Sequence, residues 1–322
     1  MSFWVKGNIH THTTESDGDA DPKSVMKWYK DHEYDFLVIT DHNHRTIIDF
    51  DNNNPQPEKE LVLIPGEEVT AHVLEDFAKN ILNYGVEGKI PIHINGIDIK
   101  KVVEPIHTKD IVTTLQGNID AIKNAGGLVS LNHPNYKWAF DHTQISKLKN
   151  VDLLEIFNGH PAVNVYGAVG KYSCEQIWDN VLSNGQKIFG VATDDSHHYH
   201  DFAYDKSNPG RGWIVARVKK LSKNNIVSAI KSGDFYASTG IEMENIFINN
   251  NVMELEIKPE IGWTHNSNMQ YRIDFITQNG QVIKQINDIK AKCNLENHSG
   301  YVRATISSSS GPKAWIQPVY IV

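Results

Sequence analysis

The chain has few cysteines and no long apolar run. Its 322 residues include only two cysteines, Cys174 and Cys293, which lie far apart and form no CxxC pair. This spacing argues against a disulfide framework and against a zinc site built on thiolates. No segment approaches about 18 uninterrupted apolar residues, and the first residues lack the charged start and apolar centre of a signal peptide. We therefore expect a cytoplasmic protein without a membrane association.

An excess of positive charge is also missing. The formal net charge is −8 and the pI is about 6.0, which argues against a general nucleic-acid binder or a membrane-surface binder. The chain contains neither a GxSxG nucleophile elbow nor a Walker A loop, so a serine nucleophile and ATP-driven chemistry are not expected. With 40% hydrophobic residues, the chain can bury one large core and a smaller one.

Several apolar, strand-like segments end in residues that can bind a metal ion. Near the start, His10 and His12 share one face of an extended segment, because side chains alternate along a strand. A single His-x-His among 16 histidines is weak support for a metal site. The same arrangement recurs later in the chain, where apolar segments lead to Asp41 and His42, Glu67 and Glu68, His93, Asn132 and His133, and Asp194, Asp195 and His197.

The strand-like segments alternate with helical ones, which predicts a parallel α/β architecture. Asp21-Pro22 is typical of a helix start, and Ser173 with Gln176 has the spacing of a capping box. Polar residues gathered at successive strand ends are typical of the active-site face of a βα barrel. From about residue 241 the pattern changes to short strands and turns. We predict a distorted βα barrel over residues 1–240, followed by a small C-terminal β-sandwich domain over residues 241–322.

The motifs IHTHTTESDG, VITDHN, PGEEVT, PIHING, LVSLNHP and VATDDSHH occur in this order between about residues 5 and 240. Together they resemble the polymerase and histidinol phosphatase (PHP) superfamily of metal-dependent hydrolases. The resemblance implies the distorted barrel of that superfamily and a cluster of two to three divalent ions. Histidine and carboxylate ligands suit zinc, manganese and iron.

The resemblance also implies a role for each matched residue. A first ion would be bound by His10, His12, Glu67 and Asp195. Glu67 would bridge to a second ion, bound by His93 and His133. A third ion would be bound by Asp17, His42 and His197. Many members of the superfamily have histidine where this chain has Asp17, so the third site is the weaker expectation.

Two further residues are predicted to act on the substrate. Arg211 lies between two glycines and could form two directed hydrogen bonds to a phosphate group. His160 directly follows a predicted strand, so it is preferred over His198 as the group that protonates the leaving oxygen.

We predict a metal-dependent phosphoesterase, with Glu67, Asp195, His160 and Arg211 as its catalytic residues. A metal-activated hydroxide would cleave a small phosphomonoester or phosphodiester. The same metal cluster could instead hydrolyse a carboxylic ester, a carbamate or an amide. A third hypothesis is a metal-containing binding module without catalysis. The sequence leaves the substrate, the oligomeric state and the role of the C-terminal segment open.

Overall fold

The computed structural model describes residues 2–48, 61–73, 89–249, 251–259, 270–296 and 298–321. Its helices are α1 (Pro22–Asp31), α2 (Ile111–Asn124), α3 (His142–Ile145), α4 (Cys174–Ser183) and α5 (Lys223–Ser232). Its strands are β1 (Phe3–Asn8), β2 (Phe36–Ile39), β3 (Val62–Val73), β4 (Ile90–Ile97), β5 (Leu128–Leu131), β6 (Leu153–Asn158), β7 (Phe189–Thr193), β8 (Trp213–Val218), β9 (Phe235–Ser238), β10 (Glu242–Ile248), β11 (Val252–Lys258), β12 (Tyr271–Thr277), β13 (Gln281–Ile286), β14 (Lys290–Asn294), β15 (Gly300–Ser308) and β16 (Lys313–Ile321).

Two helices begin where the sequence places capping residues. The Asp21 side chain accepts hydrogen bonds from the backbone N–H groups of Lys23 and Ser24, and a proline opens α1. Ser173 and Gln176 form the capping box at the start of α4, each side chain bonding to the other residue's backbone. These bonds satisfy N–H groups that have no partner within the helix. Both predicted helix starts are confirmed.

Helix α1 covers the first part of the sheet with the apolar face that its sequence predicts. Val25, Met26 and Tyr29 are its buried residues. They share a core cluster with Leu37 and Ile39 of β2. Burial of such side chains stabilises the fold by about 1.5–3 kcal/mol each. The helix therefore holds β2 in place, and the chain enters the candidate site directly after this strand.

Thirteen of the strands form one mixed sheet, in the order β13-β12-β15-β16-β9-β8-β1-β2-β3-β4-β5-β6-β7. β1, β2 and β3 are mutually parallel, and so are β5, β6 and β7. β4 is antiparallel to both of its neighbours. The fold is therefore mixed α/β, and the expectation of a purely parallel first region is wrong at β4 and at the antiparallel β8.

The sheet curls toward closure at the end where β1 and β7 finish. Thr11, after β1, forms a parallel bridge with Ser196, after β7. At the opposite end, β7 contacts β8 and β9, but no ladder joins β7 to β8 in the described part of the chain. Closure into the distorted βα barrel stays a prediction.

The C-terminal strands belong to two sheets that share a core. β10, β11 and β14 form a separate sheet in the order β10-β11-β14, whereas β12, β13, β15 and β16 extend the main sheet through β9. Met253 and Leu255 from the small sheet cluster with Phe275 and Ile306 from the large one. Two layers therefore pack face to face in this region, as a sandwich requires. The domain boundary at residue 240 stays a prediction.

The largest core cluster lies inside the curled region and is almost entirely aliphatic, with Trp178 as its largest buried side chain. The longest described helix, α2, has 14 residues. Among the described residues, no helix combines the length and apolar character needed to cross a membrane.

Candidate metal centre

The segment after β1 places His10 and His12 at the end of the sheet where β1 and β7 finish. The His12 N–H donates to the Ser196 carbonyl at 2.9 Å, and the Asp195 N–H donates to the His10 carbonyl at 3.0 Å. The Thr11 carbonyl accepts from the Thr40 N–H at 2.9 Å on the other side. The segment is thus fixed between the chain ends that follow β2 and β7. His10 and His12 are fully buried.

Glu68, on β3, is the carboxylate that lies at the centre of the site. Its Oε2 is 3.4 Å from His10 Nε2, 3.2 Å from His12 Nε2 and 3.1 Å from His42 Nδ1. Its Oε1 is 3.1 Å from His93 Nδ1 and 3.3 Å from His133 Nε2. One fully buried carboxylate therefore faces five imidazoles, four of which follow β1, β2 and β5, while His93 lies within β4.

Glu67, the residue predicted to bridge two ions, does not lie in this cluster, so that assignment is wrong. Neighbouring side chains on a strand point to opposite faces, and a shift of one residue exchanges the faces. The Glu67 Oε2 accepts from the Val103 N–H at 2.9 Å, and its buried Oε1 has no hydrogen-bond partner. Burial raises the pKa of Glu67 to about 7. The geometry gives Glu68 the position that we had assigned to Glu67.

Asp195 and Asp194 also separate into two environments. Asp195 Oδ1 is 3.2 Å from both His10 Nε2 and His12 Nε2. Asp194 instead accepts from the Arg211 and Gly212 N–H groups, at 2.6 Å and 2.9 Å, and from the Tyr29 hydroxyl. The structure therefore brings Asp195 into the site, as expected, and uses Asp194 to support the loop beneath it.

Asp17, His42 and His197 form the most open part of the site. Asp17 Oδ2 lies 3.4 Å from His42 Nε2, and Asp17 Oδ1 lies 3.3 Å from His197 Nε2. The Asp17 side chain is 54% exposed, whereas Glu68 and Asp195 are buried. An ion bound here would be closer to solvent than ions bound at the other groups.

These side chains form overlapping groups whose donor atoms lie within 4.8 Å of one another. We call the following nine residues the donor cluster: His10, His12, Asp17, His42, Glu68, His93, His133, Asp195 and His197. His10 Nε2 and His12 Nε2 are buried and have no hydrogen-bond partner, although carboxylates lie beside them. Buried polar atoms are rarely left in this way, and converging imidazole nitrogens and carboxylate oxygens suit a divalent metal. The residues present therefore fit metal ions.

The charges of the donor cluster shift one another's proton affinities. Burial opposes protonation of His12, but Asp195 and Glu68 outweigh burial and raise its pKa to about 9. Burial raises the pKa of Glu68 and the neighbouring histidines lower it, with a net value well below that of an ordinary carboxylic acid. In the protein chain alone, protons on the histidines balance the buried carboxylates. A bound metal ion would take over that role and displace protons.

Glu155, within β6, supports the cluster from beneath and was not identified from the sequence as a supporting residue. Its Oε1 lies 2.6 Å from His10 Nδ1, and its Oε2 accepts from the His133 N–H at 2.7 Å. The Thr193 hydroxyl donates to Oε1 at 2.7 Å. A carboxylate on Nδ1 directs the Nε2 lone pair of the same imidazole toward the site. The sequence signal was its position in the strand-like segment that leads to His160.

His160 lines a cavity of about 110 Å³ above the donor cluster, together with Tyr136 and Val163. Its Nδ1 accepts from the Ala162 N–H at 3.1 Å, so the neutral ring carries its proton on Nε2. Burial lowers the pKa of His160 to about 4. His160 therefore lies where we predicted it, but as a neutral hydrogen-bond donor.

Arg211 is absent from the described lining of this cavity, so its predicted contact with substrate finds no support here and stays a prediction. Its guanidinium donates to the carbonyl groups of Gly159 and Ala203, each at 2.9 Å, and to Asn208. The donors that would bind phosphate are directed to backbone acceptors. Arg211 ties together the two loops that follow β6 and β7.

Comparison with known proteins shows which fold the chain has. No family model and no curated protein matches the chain. The crystal structure of a two-domain protein from Bacteroides vulgatus, containing a predicted PHP-like metal-dependent phosphoesterase, is similar to 98% of this chain and 95% of its own, with 15% identity and a TM-score of 0.50. The chain therefore has the fold of a PHP-like two-domain protein, as the resemblance predicts.

Two other solved structures have lower TM-scores. A candidate metal-dependent phosphoesterase from Bifidobacterium adolescentis has 15% identity and a TM-score of 0.40, over 63% of this chain and 89% of its own. An amidohydrolase from Chromobacterium violaceum, with bound sulfate and no metal, has 14% identity and a TM-score of 0.39, over 60% and 88%.

Proposed function

We propose that the chain is a metal-dependent phosphoesterase that hydrolyses a small phosphomonoester or phosphodiester. The observation that carries the proposal is the donor cluster, in which Glu68 is surrounded by imidazoles and two buried Nε2 atoms have no hydrogen-bond partner. Several cations side by side suit phosphoryl transfer, because the reacting group carries negative charge on several oxygens.

Glu68 would bridge neighbouring ions, because each of its oxygens faces a different set of histidines. A first ion would be held by His10, His12, Glu68 and Asp195, a second by Glu68, His93 and His133, and a third by Asp17, His42 and His197. When bound, such ions supply Lewis acidity and lower the pKa of water. Zinc, manganese and iron all suit these ligands.

The other residues of the site orient the histidine ligands and bind the substrate. Glu155 and the backbone around it fix the His10 ring, and the Thr70 hydroxyl bonds to His42 Nδ1. We assign to the His160 Nε2–H a hydrogen bond to a substrate oxygen, because its Nδ1 already accepts from the backbone. Tyr136 and Val163 complete the wall that the leaving group would meet.

The proposal also includes closure of the barrel, the class of partner and the cellular location. The Thr11–Ser196 bridge supports closure of a distorted barrel at the end that carries the donor cluster. A net charge of −8 argues against a nucleic acid or a membrane as the partner, and the donor cluster suits a small phosphorylated molecule. A cytoplasmic location remains part of the same proposal.

The test compares chromogenic substrates of each class, after the metal content of the purified protein has been measured. With added Mn²⁺ or Zn²⁺, we expect turnover of p-nitrophenyl phosphate or bis(p-nitrophenyl) phosphate, and its loss in Glu68→Gln. Turnover of p-nitrophenyl acetate or a p-nitroanilide alone would favour an ester or amide hydrolase. Metal binding without turnover of any of these substrates would favour a binding module.

A further inference from the structure

The C-terminal end of β7 lies at the donor cluster. At the N-terminal end of β7, one edge of the strand has no neighbouring strand in the described sheet. The strand pairs with β6 on one side, and the hydrogen-bonded order of the described sheet ends with it. Asp195 and His197 follow it directly. Backbone N–H and C=O groups on a buried edge need partners, and a strand without them can slide or bend.

The partner of this edge is a side chain from the C-terminal segment. Gln317, on β16, accepts from the Gly190 N–H at 2.9 Å through Oε1 and donates to the Gly190 carbonyl at 2.7 Å through Nε2. Its side chain is buried, with 4% of the residue exposed. One carboxamide thus provides the donor and the acceptor that a neighbouring strand would provide.

The same point of β7 is held tightly from its other sides. A Cβ atom added to Gly190 would lie 2.7 Å from Ile156 Cδ1 and 3.0 Å from the Trp178 ring. The Trp178 indole N–H donates to the Ile188 carbonyl at 2.9 Å. The start of β7 is therefore fixed between β6, α4 and β16, and Gln317 is the contact that comes from the C-terminal segment.

We propose that Gln317 is a positioning residue for the donor cluster, acting through β7. Gly190 lies five residues before Asp195, which is about 16 Å along an extended chain. Metal ligands must be held to within about 0.5 Å, so a small shift of β7 would weaken metal binding at Asp195 and His197. The C-terminal segment is then part of the metal centre. The expected change in turnover rests on the proposed function, whereas the expected change in metal affinity does not.

The test uses the full chain with Gln317→Met, which keeps the length of the side chain and removes both hydrogen bonds. Ile316→Val is the matched control, because Ile316 is the buried neighbour on β16 and its truncation also lowers the melting temperature. We expect Gln317→Met to weaken Mn²⁺ binding by about tenfold and to lower kcat at saturating Mn²⁺. Ile316→Val should keep the Mn²⁺ affinity of the unsubstituted chain at a similar loss of melting temperature.

Gln317→Glu is the second variant, for use if Gln317→Met does not fold. Its carboxylate still accepts from the Gly190 N–H but cannot donate to the Gly190 carbonyl, so the affinity loss should persist. Unchanged Mn²⁺ affinity in whichever Gln317 variant folds would overturn the proposal, and so would an equal affinity loss in Ile316→Val. Weaker Mn²⁺ binding without any phosphoester turnover would support the positioning role and reject only the proposed function.

Discussion

The donor cluster and the contact between α4 and β15 both bury charged side chains, yet they satisfy them differently. At the contact, Arg303 is fully buried, and its Nε and Nη2 donate to the two oxygens of Asp179 at 2.7 Å and 2.6 Å. Its Nη1 donates to Glu175 and Thr305. In the donor cluster, buried Nε2 atoms of His10 and His12 lie beside carboxylates without a hydrogen bond.

The difference separates a structural cluster from a ligand site. Buried charges that are fully hydrogen-bonded to one another need nothing further, and their main effect is on stability. Buried metal-binding atoms that converge but are not satisfied by hydrogen bonds can instead bind a cation. Both kinds of cluster therefore occur in the described part of the chain. Substitutions at the α4–β15 contact should lower stability, whereas substitutions in the donor cluster should weaken metal binding.

The largest effect should come from Glu68→Gln. Removing the central carboxylate should lower kcat/KM by about 10³ to 10⁴, or roughly 4–5.5 kcal/mol, and reduce the bound metal. The fold should persist, because the amide oxygen of the introduced glutamine can still accept the hydrogen bond that Asn132 Nδ2 donates to Glu68 Oε1 at 2.8 Å. Steady-state kinetics and metal analysis of the same sample measure both effects.

Glu67→Gln is the matched control on the neighbouring position. Its side chain lies on the other face of β3 and bonds to the Val103 N–H. We expect normal metal content in this variant. Loss of metal in Glu67→Gln, with normal metal in Glu68→Gln, would reverse our correction of the sequence-based assignment.

The next effect concerns stability at the α4–β15 contact. Arg303→Met should lower the free energy of unfolding by about 3–5 kcal/mol, because it leaves buried Asp179 without its partner. Metal affinity should stay unchanged. Chemical denaturation in the presence of a chelator measures the stability, and metal titration measures the affinity.

The control is Arg272→Met, in the same C-terminal segment. Arg272 pairs with Asp274 at 2.9 Å, but its side chain is 55% exposed. Solvent screens the exposed guanidinium, and Asp274, which is buried, keeps a hydrogen bond from Gln285 Nε2 at 2.8 Å, so the loss of stability should be small. If the two arginine variants lost equal stability, burial would not be what distinguishes the α4–β15 contact.

Glu155→Gln should have a smaller effect that is confined to the donor cluster. An amide cannot accept from His10 Nδ1–H, the His133 N–H and Thr193 together, so metal affinity should fall about 10- to 100-fold. Glu175→Gln at the α4–β15 contact should leave metal affinity unchanged. Mn²⁺ titration of both variants makes the comparison, and similar affinities in the two would remove the supporting role of Glu155.

The smallest expected effect is the pH dependence of metal binding. Because Asp195 and Glu68 outweigh burial and raise the pKa of His12 to about 9, this histidine is protonated at neutral pH in the protein chain alone. A metal ion must displace that proton and the protons of the other cluster histidines whose pKa is raised, so apparent affinity should rise with pH by about one decade per unit for each proton displaced. Mn²⁺ titrations from pH 6.5 to 9.5 follow this change, and an affinity that falls with pH would contradict it.

Much of the site could be predicted because local patterns carry it. Apolar segments that lead to His42, His133 and Asp195 indicate strand ends, and the carboxyl ends of parallel strands meet at one edge of a sheet. His93 instead lies within the antiparallel strand β4. The family resemblance added their order along the chain. The sequence could not choose between Glu67 and Glu68, because both follow the same strand start and only the register of β3 decides which side chain faces inward.

The features of the site that the sequence did not predict depend on contacts between distant parts of the chain. Glu155 reaches His10 across 145 residues, and Gln317 reaches Gly190 across 127 residues. No local periodicity encodes either pair. The contacts of Arg211 were missed for a similar reason, since Gly159, one of its two backbone acceptors, lies 52 residues away in the loop after β6. Caps such as Asp21 were predictable because both partners lie within one turn of helix.

The most direct test of the central claim is anomalous diffraction from crystals of the protein grown with Mn²⁺. We expect at least two Mn²⁺ peaks in the donor cluster, with Glu68 oxygens bound to both and with His10, His12 and Asp195 as ligands of one. Absence of peaks at saturating Mn²⁺, or a peak bound by Glu67 instead of Glu68, would contradict it.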